Sequence, residues 1–297
     1  MILVTGGTGF VGPKVVHALR ERDLPVRCLV RKPSARGAAL VASWGAELVQ
    51  GDVTDPAGLR RAVEGCSAVV HLVAIRQGGD EDFRRVMEQA THDLVSASVA
   101  AGVKRFVLMS ALGTSEETKD LVPYYHAKWD MEQTVRGAEI EHVIFRPSFV
   151  FGADGGILST FKTLAKVAPV TPIIGSGEQR IQPIWIDDVA AYFAVGVEKP
   201  EAAGRTFELG GPEAVSWNEF WARLKRTLGQ RRPSVHVPVG LMRVNAMVTE
   251  RLPGNIPLTR DLLKMLEHGH NVVSNDEAVT TFSLPLVPLD EQLQRAL

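Results

Sequence analysis

The feature that most constrains the fold is a glycine-rich turn between the first apolar run and the first helical pattern. Met1–Thr5 has the apolar, β-branched character of a buried strand, and helical spacing of apolar residues begins at Val11. The glycines between them follow the spacing GxxGxxG. Gly6 permits a tight turn, Gly9 permits a close approach to the backbone, and Gly12 permits close packing of helix on strand. The pattern predicts a strand–turn–helix unit whose helix N-terminus accepts an anion.

Strand-like and helix-like patterns alternate through the first half of the sequence. Segments with helical spacing separate most of the later apolar runs, and strands in alternation with helices form βαβ units. Right-handed crossovers then give a parallel sheet covered on both faces. The order therefore predicts an α/β fold with a Rossmann-type, doubly wound parallel sheet. The later strands are predicted at Val26–Val30, Glu47–Gln50, Ala68–Val73, Phe106–Ser110 and His142–Arg146.

The second half is less regular and predicts a small C-terminal substrate-binding lobe. Helices are expected at Asp187–Val197, with an aspartate as N-cap, and near Ser216–Leu228. We expect an NAD(P)-binding Rossmann domain over residues 1–155 and the lobe over 156–297. From the lobe, about 187–210 is expected to return to the Rossmann core. In open α/β sheets ligands lie at the carboxyl ends of the strands, where we expect this lobe.

Composition and charge argue against several classes of protein. The net charge of −1 creates no global field for nucleic acid or anionic membranes. Cys28 and Cys66 are too few for a disulfide framework and are expected as buried thiols in a reducing, cytoplasmic compartment. We expect no signal peptide ahead of Met1, and no membrane span, since no uncharged apolar run reaches about 18 residues. No metal is expected, because the histidines, including His268 and His270, lack metal-ligand spacing.

The glycine-rich turn is expected to bind the pyrophosphate of a dinucleotide. Asp52, after the third strand, is placed to meet the adenine amino group, with Val53 beside it. Asp52 is equally placed to cap a helix near Pro56–Glu64. Residues His71–Ala74 end the fourth strand, and its backbone there is expected to pass beside the nicotinamide ribose. The cofactor contacts expected at these positions are Gly6, Thr8, Gly9, Phe10, Val11, Asp52, Val53, Leu72, Val73 and Ala74.

The end of the second strand predicts which dinucleotide binds. An acid there would accept the ribose 2′-hydroxyl of NAD, but the strand is followed by Arg31 and Lys32, with Arg36 close behind. A charged hydrogen bond to a 2′-phosphate contributes about 1.5–3 kcal/mol, or roughly a 10- to 100-fold preference. The sequence predicts NADP(H) as the preferred cofactor, with NAD(H) possible. The alternative is that Arg31 and Lys32 are solvated surface charges.

Several motifs together resemble the extended or atypical branch of the short-chain dehydrogenase/reductase superfamily. The motifs are Thr5–Gly12, Gly51–Asp55, Tyr124–Lys128, Arg146–Ser148 with Val150–Gly152, Gln182–Ala190 and Thr206–Pro212. The last two, with Leu258–Asp261 and Asn271–Val273, are similar to the NmrA-like and epimerase-like subgroup that includes the nucleotide-binding accessory subunit of respiratory complex I. The resemblance implies cofactor contacts at Ser110, Tyr124, Lys128, Pro147 and Phe149 as well.

In catalytic members a tyrosine and a lysine four residues apart carry the chemistry, and Tyr124 and Lys128 satisfy this spacing. Such residues share one helix face, and an ammonium is expected to lower the pKa of a neighbouring phenol. Tyr125 is the runner-up. A third hydroxyl is expected after the fifth strand, but its position falls on Ala111. Ser110 is retained as the third catalytic candidate, although strand alternation points it elsewhere, and Thr114 is an alternative from the loop.

The function expected is an NADP(H)-dependent oxidoreductase acting on a carbonyl or hydroxyl of a small apolar substrate. Because Ala111 lacks the polarising hydroxyl, one alternative is a non-catalytic cofactor-binding protein, serving as a redox sensor or as a structural or assembly factor of electron transport. A nucleotide-sugar epimerase or dehydratase is a further alternative. Neither nucleic acid nor an integral membrane segment is expected. Peripheral membrane contact stays open for two stretches. The basic stretch Lys225–Arg232 also fits a solvated face or a contact with a partner. The apolar stretch Val235–Val248 also fits core packing or the lining of an apolar substrate pocket.

Overall fold

The computed structural model describes residues 1–243, 259–269 and 271–297. The described chain forms two compact units. The first contains residues 1–147, 186–209 and 275–285, and the second contains 148–185, 210–274 and 286–297. The first unit therefore contains residues 186–209, which nearly match the segment of about 187–210 expected to return to the Rossmann core. It also contains residues 275–285, which the sequence did not assign to it.

The strands of the first unit form one parallel sheet of seven in the order β11-β6-β5-β4-β1-β2-β3. This order, with a reversal beside β1, is that of a dinucleotide-binding sheet, and it confirms the predicted Rossmann-type fold. The strands are β1 (Ile2–Thr5), β2 (Val26–Val30), β3 (Glu47–Gln50), β4 (Ala68–His71), β5 (Arg105–Met109), β6 (Glu141–Pro147) and β11 (Arg205–Leu209).

Helices cover both faces of this sheet. Helix α1 packs with α2 and α8, whereas α5 packs with both α3 and α6. A π-helix, Arg84–Gln89, joins α4 to α5, and a 3₁₀ turn, Pro200–Ala202, precedes β11. The α-helices are α1 (Gly12–Arg20), α2 (Arg36–Ser43), α3 (Pro56–Val63), α4 (Asp80–Phe83), α5 (Ala90–Ala100), α6 (Pro123–Arg136), α8 (Ile186–Gly196) and the segment Asp276–Phe282.

The segments that return to the first unit complete its core. The Phe145 ring of β6 lies 4.9 Å from Phe193 of α8, 6.0 Å from Phe207 of β11 and 5.6 Å from Phe282, between ring centroids. Helix α8 begins at Ile186, so the two aspartates lie in its first turn and not at the N-cap that the sequence predicted. Cys28 is buried, and its apolar surroundings raise the pKa of the thiol to about 12.

The second unit is built from small strand pairs and aromatic packing. Its strands pair as β7 with β10, β8 with β13 and β9 with β12. Phe161 stacks edge-on against Trp217, Phe220 and Trp221 at centroid distances of 5.3–5.5 Å. Ser216 caps the predicted helix α9 by accepting from the Glu219 amide at 3.1 Å. The elements are β7 (Val150–Phe151), β8 (Thr171–Ile174), β9 (Arg180–Ile181), β10 (Ile184–Trp185), β12 (Val215–Ser216), β13 (Ser234–Val237), α7 (Gly156–Val167), α9 (Trp217–Thr227), Arg260–Glu267 and Leu289–Arg295.

None of the helices in the described ranges combines the length and hydropathy that crossing a bilayer requires. Residues 244–248 of the predicted apolar stretch, together with Leu258 and His270 of two other motifs, lie outside the described residues.

Candidate functional site

The glycine-rich turn closes tightly between β1 and α1. Gly6 has a φ of +77°, and a Cβ there would lie 3.1 Å from the carbonyl carbon of Leu72. The amide of Gly9 donates to the Gly6 carbonyl at 3.0 Å. A Cβ at Gly12 would lie 2.2 Å from the same carbonyl oxygen and 2.5 Å from the carbonyl carbon of Gly7. A side chain at position 12 would therefore clash with the backbone of the turn itself. A side chain at position 6 would press on the backbone of Leu72, just after β4.

The N-terminus of α1 lacks a cap of its own. Val11 is the N-cap residue but makes no side-chain capping hydrogen bond, and the first turn contains no acid. Thr8 and Gly9 are exposed and Phe10 is half-buried, so the turn is open to solvent. An uncapped helix N-terminus offers free N–H groups and partial positive charge to an anion. This cradle, which side chains at the glycines would fill, fits a dinucleotide pyrophosphate.

Arg31, Lys32 and Arg36 form an exposed basic segment after β2. Helix α2 begins at Arg36, and a Cβ at the next residue, Gly37, would lie 3.3 Å from the Cβ of Thr8. The start of α2 therefore borders the glycine-rich turn. Residues 31–46 contain no acid, and their basic residues are Arg31, Lys32 and Arg36.

Asp52 is held by Thr54 after β3. The amide and hydroxyl of Thr54 donate to Asp52 Oδ1 at 2.9 and 2.8 Å. Burial opposes ionisation of Asp52, but these two bonds and the charge of Arg31 prevail and hold its pKa below the usual value. Asp55 caps α3 by accepting from the Ala57 amide at 3.0 Å. Asp55 therefore occupies the capping position, and Asp52 does not cap this helix.

The end of β4 lies beside the glycine-rich turn, as the register Thr5↔His71 requires. Leu72 and Val73 are half-buried and Ala74 is exposed. Since Gly6 packs on the Leu72–Val73 backbone, these predicted cofactor residues and the turn share one edge of the sheet.

His71 connects three elements through a chain of buried hydrogen bonds that the sequence analysis missed. Its Nδ1 lies 2.6 Å from Thr5 Oγ1, and its Nε2 lies 3.1 Å from Thr91 Oγ1. The Thr91 hydroxyl donates to the Met87 carbonyl at 2.5 Å, so it accepts the Nε2 proton of His71. Thr5 must then donate to Nδ1. Burial, aided by the positive charge of Lys128, lowers the pKa of His71 to about 3, so the imidazole is neutral.

Tyr124 and Lys128 share one face of α6, and the structure distinguishes Tyr124 from Tyr125. The Lys128 Nζ lies 5.8 Å from the Tyr124 ring centroid. Tyr125 donates its hydroxyl to the Leu112 carbonyl at 3.2 Å and packs so tightly that a Cβ at Gly113 would lie 2.6 Å from it. The half-buried Tyr124 phenol, in contrast, makes no hydrogen bond with any residue in the described ranges. Tyr125 is therefore structural, and Tyr124 has the available hydroxyl.

The expectation that Lys128 lowers the pKa of Tyr124 is wrong in this structure. Burial and the neighbouring Tyr125 raise the pKa of Tyr124, and only Arg76, on the loop after β4, opposes them. Lys128 is 1% exposed and donates to the Met109 carbonyl at 2.6 Å. Burial lowers the pKa of Lys128 to about 7, against the opposing charge of Glu132. Because its own pKa is raised, the Tyr124 phenol stays protonated at neutral pH.

Ser110 belongs to a buried ionic cluster, contrary to its expected catalytic and cofactor-binding roles. Its hydroxyl donates to Glu132 Oε1 at 2.5 Å. Arg146 makes a bidentate pair with Glu132 at 2.8 and 2.7 Å, and Arg136 adds a contact at 2.8 Å. The strand alternation noted in the sequence had indicated this orientation. The cluster locks α6 onto β5 and β6.

The loop after β5 contains one unsatisfied hydroxyl. Thr114 is buried, and its Oγ1 has no hydrogen-bond partner among the described residues. Ala111 brings no polar side chain, so Thr114 is the candidate hydroxyl that remains in this loop. The Thr114 amide donates to the Ala111 carbonyl at 3.2 Å, which fixes the turn between them.

The last two predicted cofactor residues lie in different units. Pro147 ends β6, and its carbonyl accepts from the Leu112 amide at 3.0 Å. Phe149 belongs to the second unit, where its ring lies 6.0 Å from Trp217 and its amide donates to Asn271 Oδ1 at 3.3 Å. Asn271, the first residue of the Asn271–Val273 motif, is therefore bonded to Phe149 within the second unit.

Comparison with known proteins gives matches over nearly the whole chain. An NAD(P)H-binding family model matches residues 6–164, and an RmlD substrate binding domain model matches residues 110–260. The chain is 30% identical over 291 residues to divinyl chlorophyllide a 8-vinyl-reductase of Zea mays, covering 92% of this chain and 70% of that protein. It is 26% identical over 295 residues to photosystem II assembly factor Ycf39 of Trieres chinensis, covering 95% and 85%.

The fold is also similar to that of a solved reductase. The Citrobacter sp. triphenylmethane reductase, solved as a complex with NADP(H), superposes with a TM-score of 0.80 over 100% of both chains at 20% identity. Relatives of this chain thus include proteins named as reductases and a protein named as an assembly factor.

Proposed function

We propose that this chain, which belongs to the NAD(P)H-binding family of extended short-chain dehydrogenase/reductase type, is an NADP(H)-dependent reductase with Tyr124 as proton donor. The observation that carries the proposal is the Tyr124 phenol, which is free of hydrogen bonds to the described chain and lies on the same helix face as Lys128. Bound NADPH would supply a hydride to a carbonyl carbon of an apolar substrate. Tyr124 would deliver its proton to the carbonyl oxygen and recover one from solvent.

Within the first unit, the proposed cofactor contacts are those expected from the sequence, except for Ser110. The glycine-rich turn would hold the pyrophosphate, and Asp52 would meet the adenine. Leu72–Ala74 would lie beside the nicotinamide ribose. Lys128 would bind that ribose by turning from the Met109 carbonyl to its hydroxyls.

We propose NADP(H) over NAD(H) because the exposed guanidinium of Arg31 and ammonium of Lys32 stand where NAD-binding proteins place an acid. Their position beside the start of α2 supports the proposal, because a helix N-terminus adds to the positive potential at a 2′-phosphate. Asp52 lies within reach of the charge of Arg31 and lowers that potential, so Lys32 carries part of the selectivity.

We assign substrate selection to the second unit, residues 148–185, 210–274 and 286–297, because it overlaps the match to the RmlD substrate binding domain model. A cytoplasmic location is supported by two buried free thiols.

The test is NADPH oxidation by the purified chain with a panel of quinones, enones and aldehydes. Tyr124→Phe is expected to abolish turnover and to leave NADPH affinity nearly unchanged. Tyr125→Phe is the matched control, because it removes a phenol one residue away whose hydroxyl is already bonded to Leu112. Equal loss in both variants would show that the phenols act through folding, and full turnover in Tyr124→Phe would refute the assignment.

A second candidate function is a non-catalytic NADP(H)-binding protein that assists electron-transport complexes. Ala111 favours it, because the polarising hydroxyl is missing and Ser110 is bonded to Glu132. Loss of one such donor costs about 3–4 kcal/mol of transition-state stabilisation. Tight NADPH retention, without oxidation by any member of the panel, would favour this candidate.

A further inference from the structure

Basic residues are separated from acidic ones in two segments of the second unit. Residues 155–177 contain Lys162 and Lys166 but no acid. Residues 225–249 contain five basic residues and again no acid, although the whole chain carries 34 acidic residues and a net charge of −1. The positive charge of these segments is therefore local and is hidden in the overall composition.

The fold brings the two segments side by side. Strands β8 and β13 pair in parallel, with Val235 opposite Pro172. The Thr171 amide donates to the Pro233 carbonyl at 2.9 Å, and Arg232 Nη1 donates to the Ala168 carbonyl at 2.7 Å. The end of α7 and the loop before β13 thus form one continuous surface.

This surface exposes aliphatic side chains next to unpaired cations. Val167 is 73% exposed, Val235 is 45% exposed and Val170 is 37% exposed. Lys166 and Arg231 are exposed, and neither forms an ion pair with a described carboxylate. We call these five residues the basic–apolar surface.

Several other cations of the second unit are neutralised by carboxylates. Arg223 pairs with Glu213 at 2.9 Å and with Glu219, and Arg243 pairs with Glu267. Lys166 and Arg231, in contrast, have no such carboxylate partner among the described residues.

We propose that the basic–apolar surface docks on an anionic phospholipid bilayer. Lysine and arginine near such a surface each strengthen binding about five-fold, and exposed aliphatic side chains gain further by leaving water for the headgroup–acyl boundary. An acidic protein partner fits less well, because protein interfaces are depleted in lysine and enriched in aromatic residues, of which this surface has none. The proposal does not depend on the reductase assignment.

The experiment is co-sedimentation of the full chain with vesicles of phosphatidylglycerol or of phosphatidylcholine. The wild type is expected to bind the phosphatidylglycerol vesicles alone and to dissociate as salt is added. The double reversal Lys166→Glu/Arg231→Glu is expected to weaken binding at least ~25-fold. Arg60→Glu/Lys104→Glu makes the same charge change at exposed positions of the first unit and is expected to bind like the wild type.

A second pair of substitutions tests the apolar contribution. Val167→Ser/Val235→Ser keeps every charge and is expected to weaken binding to the same vesicles. NADPH affinity, measured on each variant, reports whether the chain is folded. The proposal is overturned if the wild type does not bind phosphatidylglycerol vesicles, or if it binds phosphatidylcholine vesicles as tightly. It is also overturned if Arg60→Glu/Lys104→Glu weakens binding as much as Lys166→Glu/Arg231→Glu does.

Discussion

Replacing His71 by phenylalanine tests the buried hydrogen-bond chain that ties the glycine-rich turn to the rest of the first unit. Phenylalanine keeps a ring of similar size in a fully buried position. It removes the acceptor of the Thr5 hydroxyl and the donor to Thr91, which keeps its bond to the Met87 carbonyl. Only Thr5 is then left with a buried, unsatisfied hydroxyl.

The magnitude follows from these contacts and from the titration of His71. One unsatisfied buried donor costs about 1–3 kcal/mol, so His71→Phe is expected to lose about 2 kcal/mol of unfolding free energy at pH 7. The pKa of His71 falls from 6.5 to about 3 on folding, so below pH 6.5 the unfolded chain binds a proton that the folded chain does not. Stability therefore falls by about 1.4 kcal/mol per pH unit between pH 6.5 and 3, which gives about 2 kcal/mol by pH 5.

Urea denaturation of wild type and variant at pH 7 and pH 5 measures both effects. The variant is expected to be less stable than the wild type at pH 7 and nearly as stable at pH 5. Only the wild type loses unfolding free energy through protonation of His71 in the unfolded state. His92→Phe, at an exposed position, is the control and is expected to keep the pH dependence of the wild type. The reasoning is refuted if His71→Phe loses as much stability from pH 7 to pH 5 as the wild type does.

Three further predictions concern Gly12 of the glycine-rich turn, Ser110 of the buried ionic cluster, and Tyr125. Gly12→Ala places a methyl 2.2 Å from the Gly6 carbonyl oxygen, so it is expected to lower the free energy of unfolding by about 3 kcal/mol and to remove most of the NADPH affinity. The control is Gly240→Ala, whose methyl meets no atom within 4 Å and is expected to change neither quantity. Urea denaturation and NADPH titration measure the two effects. Ser110→Ala is expected to cost about 1.5–3 kcal/mol by urea denaturation while the turnover number is kept, and lost turnover with unchanged stability would restore Ser110 as a catalytic residue. Tyr125→Phe is expected to lose about 1 kcal/mol of stability, and a larger loss in Tyr124→Phe would contradict the assignment of hydrogen bonds.

Most of the sheet was predictable from the sequence because its central strands are largely buried and read as short apolar runs between helical segments. The glycine-rich turn was predictable for a related reason, since its spacing reports backbone contacts that tolerate no side chain. The same local logic indicated that Ser110 points away from its neighbour along the strand.

Tertiary contacts decided what the sequence left open. Tyr124 and Tyr125 have nearly equivalent spacing to Lys128, and only the packing of Tyr125 against Gly113 separates them. The pKa of Tyr124 depends on burial, which spacing does not report. The hydrogen bonds of His71 depend on Thr5 and Thr91, which are distant from it in the sequence. No local sequence pattern therefore indicated them.

The most direct test of the account is the ratio of dissociation constants for NADPH and NADH, measured by fluorescence titration of the wild-type chain. The account predicts NADPH binding at least about 10-fold tighter, from one or more charged hydrogen bonds to the 2′-phosphate. It also predicts near-equal constants in Arg31→Ala/Lys32→Ala. Equal affinity of the wild type for both dinucleotides, or an unchanged ratio in the double variant, would contradict it.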